Sequence, residues 1–161
     1  MQQTRRSVIK AGAAAALPAA FGGALLKPGR ALAAWNKGAF EAKSALDAMR
    51  ALGVANAEDS KAIEIRAPEI AENGAVVPIT VNVESPMTPA NHVKHIYVIA
   101  DKNRIPFITR VTLGPEAGRA FMGANIRLGE TGDVRAIVEQ SDGSLLQVKR
   151  EVKVTVGGCG G

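Results

Sequence analysis

Leu145-Leu146-Gln147-Val148-Lys149-Arg150-Glu151-Val152-Lys153-Val154-Thr155-Val156 is the stretch on which the fold turns. On an extended chain Leu146, Val148, Val152, Val154 and Val156 share one face, interrupted only by Arg150. Leu145, Gln147, Lys149, Glu151, Lys153 and Thr155 take the other. Successive side chains of a strand point to opposite sides, so this alternation predicts a long strand with one face on a core and one toward water. Asp142-Gly143, just ahead of it, is hairpin turn chemistry.

Working back from that hairpin, the same period of two recurs. Ile63 and Ile65 alternate with Glu64 and Arg66, and Val77, Ile79, Val81 and Val83 alternate with Pro78, Thr80, Asn82 and Glu84. Further strands are expected at 95–100, 107–113, 119–127 and 134–140, separated by Ser85-Pro86 through Pro89, by residues 101–103, by Gly114-Pro115 and by Gly132-Asp133. About seven short strands in roughly 100 residues predict an all-β antiparallel sandwich. Pro78 and Pro106 suit edge positions or strand starts, because neither can donate to a ladder. Ahead of the strands, 40–52 reads as one short helix. Its apolar stripe is Phe40, Ala42, Ala45, Leu46, Met49 and Leu52, its outward side Glu41, Lys43, Asp47 and Arg50, and Gly53 is placed to close it in a left-handed cap.

Downstream of Val156 the alternation gives way to Gly157-Gly158-Cys159-Gly160-Gly161. Glycine maximises backbone freedom, so this segment is expected to be a flexible arm rather than a helix or strand. It also carries no side chain that would collide with the walls of a narrow channel. Extended, Gly157 to Cys159 spans about 10 Å. The nearest cation in sequence is Lys153, so nothing local activates the sulfur. The thiol reads as a passive nucleophile whose activation comes from the site it enters, which is the behaviour of a carrier rather than of an enzyme.

Composition narrows the field. The chain has 161 residues, one cysteine and two histidines, which excludes an internal disulfide framework and argues against a Cys/His metal site. The formal charge of +5 invites a nucleic-acid reading, but the first 33 residues carry Arg5, Arg6, Lys10, Lys27 and Arg30 and no acid. The other 15 cations balance the 15 acids, so the basic character belongs to a targeting segment. Thr4-Arg5-Arg6-Ser7-Val8-Ile9-Lys10 matches the twin-arginine pattern, residues 11–26 form a short, weakly apolar run, and Ala31-Leu32-Ala33 supplies a small-x-small cleavage site. The expected organisation is a signal peptide over 1–33 cut before Ala34, a helix plus sandwich over 34–156 and an arm over 157–161, working in the bacterial periplasm without a membrane anchor.

No other catalytic constellation emerges. His92 and His95 are three apart at a strand entry and are expected to point to opposite faces. There is no glycine-rich phosphate loop before a helix, no G-x-S-x-G pattern and no base paired in sequence with Cys159. Two readings compete with a covalent carrier. An exported binding or structural sandwich would use Cys159 for an intermolecular disulfide. A ubiquitin-like sulfur carrier would need ATP-dependent activation of its terminal carboxylate, which an export signal makes implausible.

The twin-arginine signal, the stretch Ala34-Trp35-Asn36-Lys37 leading into a helix, the β-rich body and the Gly-Gly-Cys-Gly-Gly pentapeptide together resemble the SoxY family, the sulfur-carrying subunits of the Sox thiosulfate-oxidising system. The resemblance spans essentially the whole chain. It implies an immunoglobulin-like sandwich paired with a second sandwich subunit, SoxZ, with substrate held covalently on Cys159. It further implies a cytochrome, SoxAX, that couples thiosulfate to the thiol, a hydrolase, SoxB, that releases sulfate, and a sulfane dehydrogenase, SoxCD, in organisms that have one. No cofactor is implied for the carrier itself.

Overall fold

The computed structural model describes residues 36–157, which build two sheets and a pair of short helices. The strands are β1 (Glu58–Asp59), β2 (Ile63–Arg66), β3 (Ile70–Asn73), β4 (Val77–Val83), β5 (Val93–Ala100), β6 (Phe107–Thr112), β7 (Ala120–Ile126), β8 (Gly132–Gln140) and β9 (Leu145–Val156). The larger sheet runs β1-β9-β8-β5-β6, and the smaller runs β2-β4-β7. Their inner faces pack Ile63, Ile65, Ile79, Val81 and Met122 from one sheet against Ile96, Val98, Val134, Ala136, Val138 and Val152 from the other. This is an immunoglobulin-like β-sandwich with its apolar residues alternating inward.

The decisive strand forms over 145–156, with its apolar face on the core as far as Val154, while Val156 at its end is exposed and Leu145 on the opposite face packs under the helices. Leu146, Val148 and Val154 pack against the core, and Val152 is fully buried in it. Arg150, the one break in the apolar face, reaches across to the carbonyl of Ile65 on β2 at 3.5 Å. The Asp142-Gly143 turn also forms as expected. Gly143 takes φ 87°, which favours glycine, and Asp142 Oδ1 accepts the amide of Ser144 at 2.8 Å. Pro78 lies in the middle strand of the smaller sheet, but at a point that β2 no longer flanks, since β2 pairs only Thr80 to Val83 of β4. Pro106 immediately precedes β6.

Two features of the N-terminal half differ from the sequence expectation. The single helix over 40–52 is two helices, α1 (Lys37–Glu41) and α2 (Ala45–Leu52), with extended backbone at Ala42 between them. The break is made by Ser44, whose hydroxyl accepts the amide of Asp47 at 3.1 Å and starts a new helix. Restarting shifts the apolar phase, so Ala48 and Met49 are buried while Leu46, placed on the buried stripe by a continuous helix, is 48% exposed. Gly53 closes α2 at φ 75°, as expected. In addition, β1 and β3 are short parallel strands laid on β9, joining the otherwise antiparallel sandwich. Neither shows alternation in its sequence, because β1 buries no residue and β3 buries only Ala71, so both are defined mainly by the backbone of β9.

The helix pair covers the outer face of the larger sheet. Ala39, Ala48, Met49 and Val54 pack on Tyr97, Ile99, Phe107 and Ile137, and the rings of Phe40 and Phe107 lie 4.6 Å apart. With the sandwich core on one side and helices on the other, β5 is buried on both faces. Its near-continuous apolar run follows from that.

Candidate functional site

The end of β9 and the residues around it form the root of the pentapeptide. Up to Val152, β9 is paired with β8, starting from Glu139↔Leu145 and ending at Gly132↔Val152. Beyond that point β3 takes over, matching Ile70 to Lys153, Ala71 to Val154 and Asn73 to Val156. The amide of Lys153 donates to the Glu69 carbonyl at 3.0 Å, and the Gly74 amide donates to Val156 at 2.7 Å. Thr131 closes the other side, its hydroxyl accepting the Val154 amide at 2.8 Å. The backbone is therefore hydrogen-bonded to Val156, whose side chain is itself 61% exposed.

Gly157 is the one pentapeptide residue inside the described span, and its surroundings explain why it is glycine. A Cβ built there would overlap the carbonyl oxygen of Gly129 and crowd its carbon. Both are backbone atoms, which cannot rotate away, so position 157 is sterically restricted as well as conformationally permissive. Gly129 in turn is held by Asn103, a turn residue by its sequence context and a buried one in the structure. The Asn103 side chain donates to the Arg127 carbonyl at 2.7 Å and accepts the Gly129 amide at 2.9 Å. Nothing in the sequence pattern signals this contact, since it joins residues 26 positions apart. The other expected site residues, Arg5, Arg6, Gly158, Cys159, Gly160 and Gly161, lie outside the described residues.

Several titratable side chains pair with one another on the larger sheet. Tyr97 donates to Glu139 Oε2 at 2.9 Å, and Lys94 pairs with Glu139 Oε1 at 3.1 Å. Burial first, and then the hydrogen bond to Glu139, push the Tyr97 phenol up to about 12. For Glu139 burial acts upward, but hydrogen bonds from Lys94 and Tyr97 outweigh it and hold the carboxyl below its ordinary value. Burial lowers His95, against the pull of Glu139. His95 Nδ1 lies 3.1 Å from Thr112 Oγ1 and His92 Nδ1 lies 3.1 Å from the Thr88 carbonyl, so the two histidines have different partners. On the other flank of β8, Arg135 is forked onto Asp101, with Nη2–Oδ2 at 2.8 Å, and donates to Gln147 on β9 at 2.8 Å. These are bracing contacts between strands. Among the described residues no three of His, Cys, Asp and Glu converge on a point where a metal could sit, and no helix is long and apolar enough to cross a membrane.

Comparison with known proteins places this geometry. The family model of sulfur oxidation protein SoxY matches residues 48–159. Among solved structures, the sulfur carrier protein SoxY from Chlorobium limicola f thiosulfatophilum is similar at 32% identity and a TM-score of 0.56, covering 69% of this chain and 96% of that one. A superoxide reductase (neelaredoxin) from Ignicoccus hospitalis shares the fold at 22% identity and a TM-score of 0.52, covering 57% of this chain and 79% of that one. A putative superoxide reductase from Thermotoga maritima does so at 18% and 0.52, covering 61% and 93%. At those identities the likeness is one of architecture alone. No match is found among curated proteins.

Proposed function

The chain belongs to the SoxY family, and from that premise we propose that it is a non-catalytic carrier of the Sox system, holding sulfur intermediates on Cys159 while partner enzymes act on them. The observation that carries the reading is that the family match runs through residue 159, so the cysteine lies within the family's own pattern. The likeness to a solved sulfur carrier over most of its length supports it. So does the root, which is hydrogen-bonded as far as Val156 and leads directly into the glycines around the thiol.

The chemistry assigned to the thiol balances without help from the carrier's own side chains. Cys159 and thiosulfate form an S–S bond, releasing one proton from the thiol and two electrons to a SoxAX-type cytochrome, and leave a cysteine S-thiosulfonate. A SoxB-type hydrolase then adds water to the terminal sulfone and breaks its S–S bond. That step releases sulfate and two protons and leaves a persulfide on Cys159. A SoxCD-type dehydrogenase oxidises the remaining sulfur where one is present. In this reading Arg5 and Arg6 direct export to the periplasm and residues 1–33 are removed. The glycines at 157, 158, 160 and 161 keep the arm slim, and a SoxZ-like subunit covers part of the sandwich as a heterodimer partner.

The test is intact-protein mass spectrometry of the chain purified from cells grown on thiosulfate. Adducts of sulfur or thiosulfate mass should map to the peptide bearing Cys159 and vanish in Cys159→Ser, with the thermal midpoint unchanged. Adducts that persist in Cys159→Ser refute the assignment, and a disulfide-linked dimer as the sole Cys159-dependent species supports the structural reading instead.

A further inference from the structure

Asn103 sits in the β5–β6 turn, 56 positions before Cys159, yet it is buried at 8% exposure, and apart from Tyr97 no other side chain with polar atoms is buried among the described residues. Both ends of its amide are used, on Arg127 and Gly129. The orientation is forced, because a flipped amide would set its NH2 against the Gly129 N–H and its oxygen against the Arg127 carbonyl. Leu128, between those two residues, is buried and donates its amide to the Gly74 carbonyl at 2.8 Å. Gly74 in turn donates to Val156. Residues 127–129 are thus pinned one after another, and the last of them presents the carbonyl against which Gly157 lies. Thr131, two residues on, grips Val154.

We infer that Asn103 is a positioning residue for the carrier thiol: by locking 127–129 it builds a fixed socket for Gly157 and so sets where, and in which direction, the chain toward Cys159 leaves the sandwich. Gly157 to Cys159 is only three residues, about 10 Å of extended chain. An arm that short samples a limited shell around its root, and tilting the root moves the whole shell. The functional half of the inference rests on the carrier reading. The structural half, that Asn103 controls the exit, does not.

The experiment uses the full chain with its sole cysteine carrying a nitroxide spin label, and reads paramagnetic broadening of backbone amides well below the thermal midpoint. In the wild type, broadening should concentrate on residues bordering the socket, around 74 and 128–131. In Asn103→Ala it should spread or move to a different edge, and Gly157→Ala, which strikes the same contact from the other side, should shift it in the same way. Because the two act through one contact, the double variant should be no worse than the more severe single. In parallel, enzyme-dependent loading of Cys159 with thiosulfate should fall by about one to two orders of magnitude in both variants. Alkylation by iodoacetamide should keep its rate, since a small reagent needs no docking of the carrier.

Should Asn103→Ala fail to fold, Gly157→Ala carries the same test without disturbing the turn. Unchanged broadening in the variants, or additive effects in the double, overturns the inference, because loss of a merely structural residue lowers stability without redirecting the label. Unchanged loading despite a redirected label overturns its functional half. A redirected label in a chain whose wild type accepts no thiosulfate leaves the socket standing and refutes the carrier reading instead.

Discussion

Removing the carboxylate of Asp101 should destabilise the sandwich by about 2–3 kcal/mol, and the geometry sets that figure. Asp101 accepts two bonds from Arg135, Nη2–Oδ2 at 2.8 Å and Nε–Oδ1 at 3.4 Å, and the two side chains are only 23% and 15% exposed. Stranding one charge of a fully buried pair costs about 3–5 kcal/mol. Partial access to water takes the value for this pair to roughly 2–3 kcal/mol. Arg135 also holds Gln147, which donates onward to the Ala57 carbonyl at 2.9 Å, so the loss is felt on β8, β9 and the segment entering β1. At roughly 3–5 °C per kcal/mol for a domain of this size, Asp101→Ala should melt about 6–15 °C lower. Urea titrations of Asp101→Ala, Arg135→Met and the double variant measure the pair directly. The double should recover much of the loss, because two apolar groups leave no unpaired charge. The exposed pair Arg66–Glu64, 75% and 50% open to solvent, is the internal control, and Glu64→Gln should leave the urea midpoint nearly unchanged. A loss below about 0.5 kcal/mol in Asp101→Ala, or strict additivity in the double variant, would refute the claim that this fork is a desolvated clamp.

The phenol of Tyr97 is raised in the folded state, so its contribution is complete below pH 10 and drains away as pH climbs toward about 12; Tyr97→Phe should erase that alkaline limb in pH-dependent melts and cost about 1 kcal/mol at neutral pH. Glu139 is lowered, so its share is present above the ordinary carboxylate range and is lost on acidification, and Glu139→Gln should flatten the acid limb of the same curve. Ser44→Ala removes the cap that restarts the helix and should lower stability by about 1 kcal/mol in urea titrations, with the loss confined by hydrogen exchange to α2. Valine at Gly158 and Gly160 together should leave small-molecule alkylation of Cys159 near its normal rate while thiosulfate loading falls roughly 10²-fold, and unimpaired loading would show that slimness of the arm plays no part. Purified from native periplasm, the chain should bring with it a second small β-rich subunit, which gel filtration and intact mass would reveal.

How much of this could be read beforehand depends on whether each element is fixed by its own side chains. β4 carries its burial pattern in the sequence, because it presents alternate residues to one core; β9 folds over the expected range and faces the core through Val154, but Val156 on the same face is 61% exposed and Leu145 on the other packs under the helices. The hairpin between β8 and β9 is equally legible, since Asp142-Gly143 meets a backbone requirement that is local. The helix was harder to read because its apolar residues fit one stripe only if the chain does not pause, and the pause comes from a single hydroxyl at Ser44. β1 and β3 were not legible at all. Glu58–Asp59 and Ile70–Asn73 are strands because β9 offers them free backbone groups, and Ile70, the most apolar of them, faces outward at 58% exposure.

The candidate site divides along the same line. The cysteine and its glycines stand out in the sequence because nothing in a packed core explains them, and chemistry alone singles out Cys159. What shapes the path to it is invisible there, since it is assembled from residues 74, 103, 127–129 and 157 that only the folded chain brings together. The glycines consequently have two different physical explanations. At Gly157 a Cβ is excluded by the neighbouring Gly129 carbonyl, a demand of the sandwich itself. At Gly158 and Gly160 the proposed demand comes from the partner enzymes that must admit the thiol. A sulfur carrier built this way needs a stiff root and a slender tip, because entropy lost in ordering the arm inside each enzyme is smallest when the approach is already aimed. On the positioning reading proposed above, holding β9 first by β8 and then by β3 and Thr131, and seating Gly157 against a locked loop, supplies that aim.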